Sequence, residues 1–332
     1  MKKLLSLVMF LALAGSALAE QAKVGSAGAQ FLKIGVGPKY QAMGEASVAT
    51  ATDIYAAYWN PAGLVEVENW EVSFTSVNWL LDVDLNYVAL ARYFDDVGTF
   101  AVSATVLSME DQEITTVMEQ DGTGKTYSAS SYAIGLSFAR QLTYRFAFGA
   151  TVKYVGEQIG EVDSRGYALD FGTLLYTGLR SLRIGMSISN MGPDLEFSGN
   201  ALKVGYDDQS GQGSNMPVDA ELSTNPYNLP LVFRVGLAYD IEFAPKSMVT
   251  VSTEFKHPND NDQQASIGAE YGYDDRFFLR GGYKINYEEE TFALGGGLSA
   301  PVGDFTRILV DYSWQDFGRL ESAQRFSIGF TF

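Results

Sequence analysis

The side chains able to do chemistry are few and poorly arranged for it. The single histidine, His257, precedes Pro258-Asn259-Asp260-Asn261-Asp262. A Ser-His-Asp site would have to be built on it, but a lone histidine in a predicted external loop reads as solvated. Asp260-Asn261-Asp262 lacks the third acidic position, the glycine and the closing glutamate of a calcium loop. Gly122-Thr123-Gly124-Lys125-Thr126 ends like a phosphate-binding loop, yet Glu119 stands where the first glycine belongs. Gly35-Val36-Gly37 fails as a dinucleotide fingerprint because Tyr40 occupies the third glycine's place. The chain has no cysteine, which excludes thiolate metal sites, disulfides and an acylated lipoprotein cysteine. The residues therefore predict no catalytic, cofactor or metal site, and a protein that is not an enzyme.

What remains is a question of compartment and architecture. Met1-Lys2-Lys3 is a short basic start, Leu4 to Ala14 is apolar except for Ser6, and Ala17-Leu18-Ala19 offers small residues to a signal peptidase. Residues 1–19 are predicted to be a signal peptide cleaved before Glu20; the run is too short for a spanning helix, which needs roughly 20 apolar residues. The net charge of −17 argues against nucleic acid as a partner, since binding phosphates takes a basic surface. No later apolar run approaches a spanning helix, although 46% of the residues are apolar and the chain holds 34 glycines, 19 tyrosines and 21 phenylalanines. An exported chain with apolar content in alternation suits the other structure a bilayer tolerates, a closed barrel.

The alternation is explicit. Phe146, Phe148, Ala150, Val152 and Tyr154 fall on one face, and Ala147, Gly149, Thr151 and Lys153 on the other. Leu229, Leu231, Phe233, Val235, Leu237 and Tyr239 likewise oppose Val232, Arg234, Gly236 and Ala238. One face suits lipid and the other a crowded polar interior. Strands are predicted near 69–81, 84–95, 97–110, 127–141, 144–157, 164–177, 181–190, 229–243, 247–257, 263–273, 276–286, 289–299, 304–315 and 321–332. Every second connection is short, as at Asp95-Asp96 or Asp274-Asp275, while the alternate set includes the long segments 111–126 and 191–228. That split places short turns in the periplasm and long loops outside. The expectation is an all-β, 14-stranded antiparallel transmembrane barrel over 67–332, monomeric and surrounded by outer-membrane lipid. Its last strand, Phe326-Ser327-Ile328-Gly329-Phe330-Thr331-Phe332, resembles the terminal strand that outer-membrane assembly machinery recognises, with Phe332 as the end of the signal.

The lumen face carries Lys153, Arg234, Glu254, Glu270, Arg280, Lys284, Arg307 and Asp311. An ion channel would favour one sign; mixed signs predict pairing inside a filled barrel. Residues 20–66 have no strand pattern and are expected to fill it as a plug. Within them, Asn60-Pro61-Ala62-Gly63 reads as a tight turn, because proline fixes φ and asparagine favours turn initiation. Phe31, Leu32 and Ile34 are candidates for a pocket between plug and wall, or for plug core.

Three runs carry a family resemblance: Gly25-Ser26-Ala27-Gly28-Ala29-Gln30-Phe31-Leu32-Lys33-Ile34-Gly35, Ala42-Met43-Gly44-Glu45-Ala46 and Tyr58-Trp59-Asn60-Pro61-Ala62-Gly63-Leu64. Together they resemble the start of PorV/PorQ family barrels, relatives of the FadL long-chain fatty-acid transporters. The resemblance implies a 14-stranded barrel with an N-terminal hatch. It also implies one of two functions. The first is a component of type IX secretion that receives or anchors exported proteins, with segment 191–228 (Tyr206 to Gly213, then Met216-Pro217-Val218) facing the partner. The second is passive uptake of hydrophobic small molecules such as long-chain fatty acids.

Overall fold

The computed structural model describes residues 24–206, 218–303 and 305–332. The expected signal peptide and the middle of segment 191–228 fall outside them. Among the described residues fourteen strands close one antiparallel ring. They are β1 (Trp70–Asn78), β2 (Val83–Phe94), β3 (Gly98–Met109), β4 (Ala129–Thr143), β5 (Phe146–Ile159), β6 (Val162–Tyr176), β7 (Arg183–Met191), β8 (Val232–Ala244), β9 (Ser247–Pro258), β10 (Gln264–Tyr273), β11 (Phe277–Ile285), β12 (Phe292–Val302), β13 (Thr306–Asp316) and β14 (Ser322–Thr331). The first and last strands pair in register, Phe74 opposite Ile328, which leaves no open edge. β7 joins β6 on one side and β8 on the other.

Each strand falls on a predicted segment, with ends shifted by up to about three residues, the usual uncertainty of boundaries. β12 moves most. It runs through Pro301, opposite Arg307 near the end of the ladder, where a missing N–H is tolerated. Both long loops contain short hairpins, Gln112–Glu113 with Thr126–Tyr127 and Lys203–Tyr206 with Val218–Glu221. Neither hairpin joins the barrel, and the two-residue stretch Ser198–Gly199, which pairs with the outer end of β6 at Val162 and Asp163, does not enter the ring. The turn at Asp274-Asp275 has positive φ at both residues (56° and 52°), the type I′ backbone favoured in hairpins, and the Arg276 N–H closes it onto the Tyr273 carbonyl at 3.1 Å.

The faces separate as alternation demands: Thr151 is 1% exposed and its neighbour Val152 52%. Outward Leu237, Ile267, Leu294 and Phe326 face lipid rather than water. The core lies inside the ring. Four short helical pieces of residues 24–67 fill it: a 3-10 turn Gln30–Lys33, α1 (Pro38–Ala42), α2 (Ala56–Trp59) and a 3-10 helix Pro61–Glu66. Helices this short are unstable alone, so packing holds them. α1 packs on β11 to β14 and Pro61–Glu66 on β3 to β6. Tyr40, Ala42, Trp59 and Leu64 are fully buried. The inner segment starts at the outer mouth, where Ala27 bridges Asn228 of the β7–β8 loop. It ends at the rim of short turns, the periplasmic one on the topology expected from loop lengths, where Tyr176 hydrogen-bonds Glu66.

Candidate functional site

The candidate site is the contact between the inner segment and the barrel wall. Its first element is a set of wall glycines. A Cβ added at Gly268 would lie 2.3 Å from the Met43 carbonyl oxygen, and at Gly282, 2.1 Å from the Gly44 nitrogen. At Gly185 it would lie 2.1 Å from the Val48 carbonyl, at Gly172 2.0 Å from Asn60 Oδ1, and at Gly149 2.3 Å from the Pro61 carbonyl carbon. These glycines belong to β5, β6, β7, β10 and β11, so residues 43–61 rest on the wall at two places, one on β5 to β7 and one on β10 and β11. Main chain approaches main chain this closely only where no side chain intervenes.

The second element is charge. Glu45 (φ 65°) follows Gly44 into the middle of the lumen, where Lys284 Nζ reaches it at 2.8 Å and Lys256 Nζ at 3.2 Å. Two ammonium groups thus share one buried carboxylate. Lys284 also pairs with Glu290. Glu254 accepts hydrogen bonds from the backbone N–H of Ser47 (2.9 Å) and Val48 (2.7 Å) and faces Arg234 at 3.4 Å. Arg280 bridges Glu270 and Asp311. Lys153 pairs with Asp170 at 2.8 Å and hydrogen-bonds Asn190. The lumen residues marked in the sequence thus sit in four groups. Arg307 stands apart, at the periplasmic rim, bonded to Ser299 and the Asp275 carbonyl.

Asn60 does more than start a turn. Its Oδ1 accepts from Ala62 N and caps the Pro61–Glu66 helix, so the expected tight turn is a helical one. Its Nδ2 donates to the carbonyls of Val48 (2.6 Å) and Thr173 (3.0 Å), tying two stretches of inner segment to β6. Gly63 admits the Ala51 carbonyl, which a Cβ would meet at 1.8 Å. Phe31 and Leu32 are buried and Ile34 half-buried. The cavity beside Phe31 and Leu32 measures about 20 Å³, room for about one water and not for an acyl chain.

The other candidate residues lie apart. His257 is on β9, not in a loop, with its side chain exposed. Asp260 is buried and engaged by Lys33 at 2.8 Å and Gln30 at 2.7 Å. Gly122 to Thr126 are part of an exposed hairpin. Sequence reasoning missed Lys256, Asp170 and Arg325, although strict alternation from Glu254, Gly172 and Ser327 points to each. Arg325 donates to the Gly35 carbonyl at 3.2 Å and to Gln315 Oε1 at 2.9 Å. Glu45 gave no such signal, since no period governs the inner segment.

A family model described as type IX secretion system protein PorV matches residues 17–258. The chain belongs to the PorV family. It is accordingly an outer-membrane barrel. No curated protein matches the PorV-family chain. Solved structures of the same fold do. The toluene transporter TodX of Pseudomonas putida is similar at a TM-score of 0.59 and 16% identity, over 89% of this chain and 97% of TodX. The CymD monoaromatic hydrocarbon channel is similar at 0.58 and 15%, over 90% and 97%. A Pseudomonas aeruginosa FadL homologue is similar at 0.53 and 11%, over 89% and 97%. At such identities the likeness extends to the fold alone.

Proposed function

We propose that this PorV-family barrel is a closed, non-enzymatic platform of protein secretion, type IX-like, which receives or anchors exported proteins at the outer membrane. Residues 20–66 act as its plug, behind a signal peptide at 1–19, and Phe332 ends the strand read by the assembly machinery. The observation that carries the reading is the seat of the inner segment. Four wall glycines meet its backbone and a fifth, Gly172, meets the Asn60 side chain, with no room for a methyl group at any of them, and Glu45 and Glu254 tie it to the wall through buried partners. Opening such a barrel means disrupting many contacts together, whereas a platform needs none of them to move. Deleting the gene and comparing the proteins on the cell surface and in the medium tests this. Loss of a defined set of exported proteins supports it, and an unchanged set sinks it.

Passive uptake of hydrophobic small molecules has one specific observation in its favour. A cavity of about 100 Å³ lies toward the periplasmic end between inner segment and wall, with Ile54, Phe278 and Leu309 among its lining. Lys39, Asp53 and Arg280 share that lining, which suits water as well as a hydrocarbon. Impaired growth on hydrocarbons in the deletion strain would favour this reading.

A further inference from the structure

The inner segment is held in two different ways along its length. Residues 43–61 rest on wall glycines. Residues 27–33 are instead held by side chains and loops of the outer mouth. Gly28 N donates to the Asn228 carbonyl at 3.0 Å, beside the Ala27–Asn228 bridge. The Tyr227 ring lies on Gly28, where a Cβ would meet it at 2.1 Å. Glu157 at the end of β5 accepts from both Ala29 N (3.1 Å) and the Tyr227 hydroxyl (2.9 Å). Leu195 and Leu229 of the same loop are buried in one cluster with Ala29, Phe31 and Leu32.

The loop reaches this position because β7 ends in an irregularity. Asn190 adopts φ 65° where the β6–β7 register shifts. Its N–H is held by Asp170 at 2.7 Å, and its side chain donates to the Pro230 carbonyl at 3.0 Å. Past that point Leu195 and Tyr227 exchange backbone hydrogen bonds of 2.8 Å, and Leu195 packs onto Gly166 of the β6 lumen face. The two arms of the loop thus turn over the lumen as a strap.

We infer that this strap and residues 27–34 form a single latch, which opens and closes from the outer face as one unit above a seat that stays closed. Opening it uncovers Phe31 and Leu32 to the exterior while Glu45, Asn60 and the glycine wall keep the barrel sealed. The inference holds whether the barrel serves secretion or uptake, because it concerns only which contacts break together. A unit of contiguous contacts opens at its own free energy, and here that includes breaking the bonds of Gln30 and Lys33 to Asp260, the Ser198–Gly199 pairing with β6 and the bonds of the Tyr58 hydroxyl to the Leu32 and Ile34 carbonyls, which mark the border with the seat.

Hydrogen exchange on the full chain in detergent micelles tests it, with barrel integrity checked by heat-modifiable gel migration. Tyr227→Ala removes the ring and hydroxyl that bridge the two parts, and should speed exchange about tenfold, as for a lost hydrogen bond and its contact, in residues 27–34 and in 192–199 alike. Residues 42–63 should keep wild-type protection. Gly28→Ala, made on the other partner, should give the same pattern. The chain has no cysteine, so Ala27→Cys with Asn228→Cys gives a clean lock: oxidation should restore protection in the Tyr227→Ala background and reduction should remove it. Faster exchange in the strap alone overturns the coupling. Faster exchange that spreads to 42–63 overturns the separate seat.

Discussion

Replacing Gly268 with valine strikes the seat where no side chain can give way. The added Cβ would lie 2.3 Å from the Met43 carbonyl oxygen. Ordinary contact begins near 3.4 Å, so the backbone of the inner segment must move by about 1 Å, before the two methyl groups are counted. Overpacking a well-filled core costs about 1–3 kcal/mol, and backbone against backbone belongs at the upper end. About 3 kcal/mol taken from the closed state shifts its equilibrium with an unseated state by about a hundredfold, at 1.4 kcal/mol per decade. Planar-bilayer conductance reads this directly: the wild-type barrel should be silent and Gly268→Val should show openings. Gly281→Ala is the control, because its added Cβ meets only Leu294 at 3.5 Å. A Gly268→Val barrel that folds normally, stays silent and melts like wild type would refute the reasoning.

Other expectations follow from the same contacts. Glu45→Gln leaves Lys256 with no buried carboxylate within reach, and breaking a buried pair in this way costs about 3–5 kcal/mol; the melting temperature in detergent should fall clearly. Asn60→Ala removes a cap, worth about 1 kcal/mol, together with the hydrogen bonds to Val48 and Thr173, so it should destabilise by more than a cap alone. Phe31→Ala should cost about 3–5 kcal/mol in stability as a core truncation, with the secreted protein set unchanged at permissive temperature. Arg307→Ala, at the exposed rim, should change stability by no more than about 0.5 kcal/mol.

The barrel was legible because its rule is local. Alternation in 146–154 or 229–239 requires only that neighbouring side chains face opposite media, and closure follows because a bilayer tolerates no open sheet edge. Lumen charges such as Glu254 and Arg280 were legible for the same reason. Their partners were not, because pairing such as Glu45 with Lys284 joins positions 239 apart and depends on how the inner segment threads the ring. Of the wall glycines only Gly149 lies on a face marked as inward in the sequence, and the meaning of all five as a seat lies in a segment with no period. Asn60 was readable as a turn former, but its bonds to Val48 and Thr173 were not. The β7–β8 loop looked like an exposed partner surface, yet its arms turn inward at Asn190, whose left-handed backbone leaves no trace in the alternation pattern.

On this reading the barrel acts closed. Because the chain is free of cysteine, Val48→Cys with Gly236→Cys can fix the seat: an added Cβ at Gly236 lies 2.7 Å from Val48 Cγ1, within disulfide reach. Complementing the deletion strain with this oxidised, locked chain and measuring the exported proteins at the surface is the most direct test. A platform predicts full restoration of the exported set by the locked barrel. Restoration only after the lock is reduced would contradict it and make movement of the inner segment part of the function.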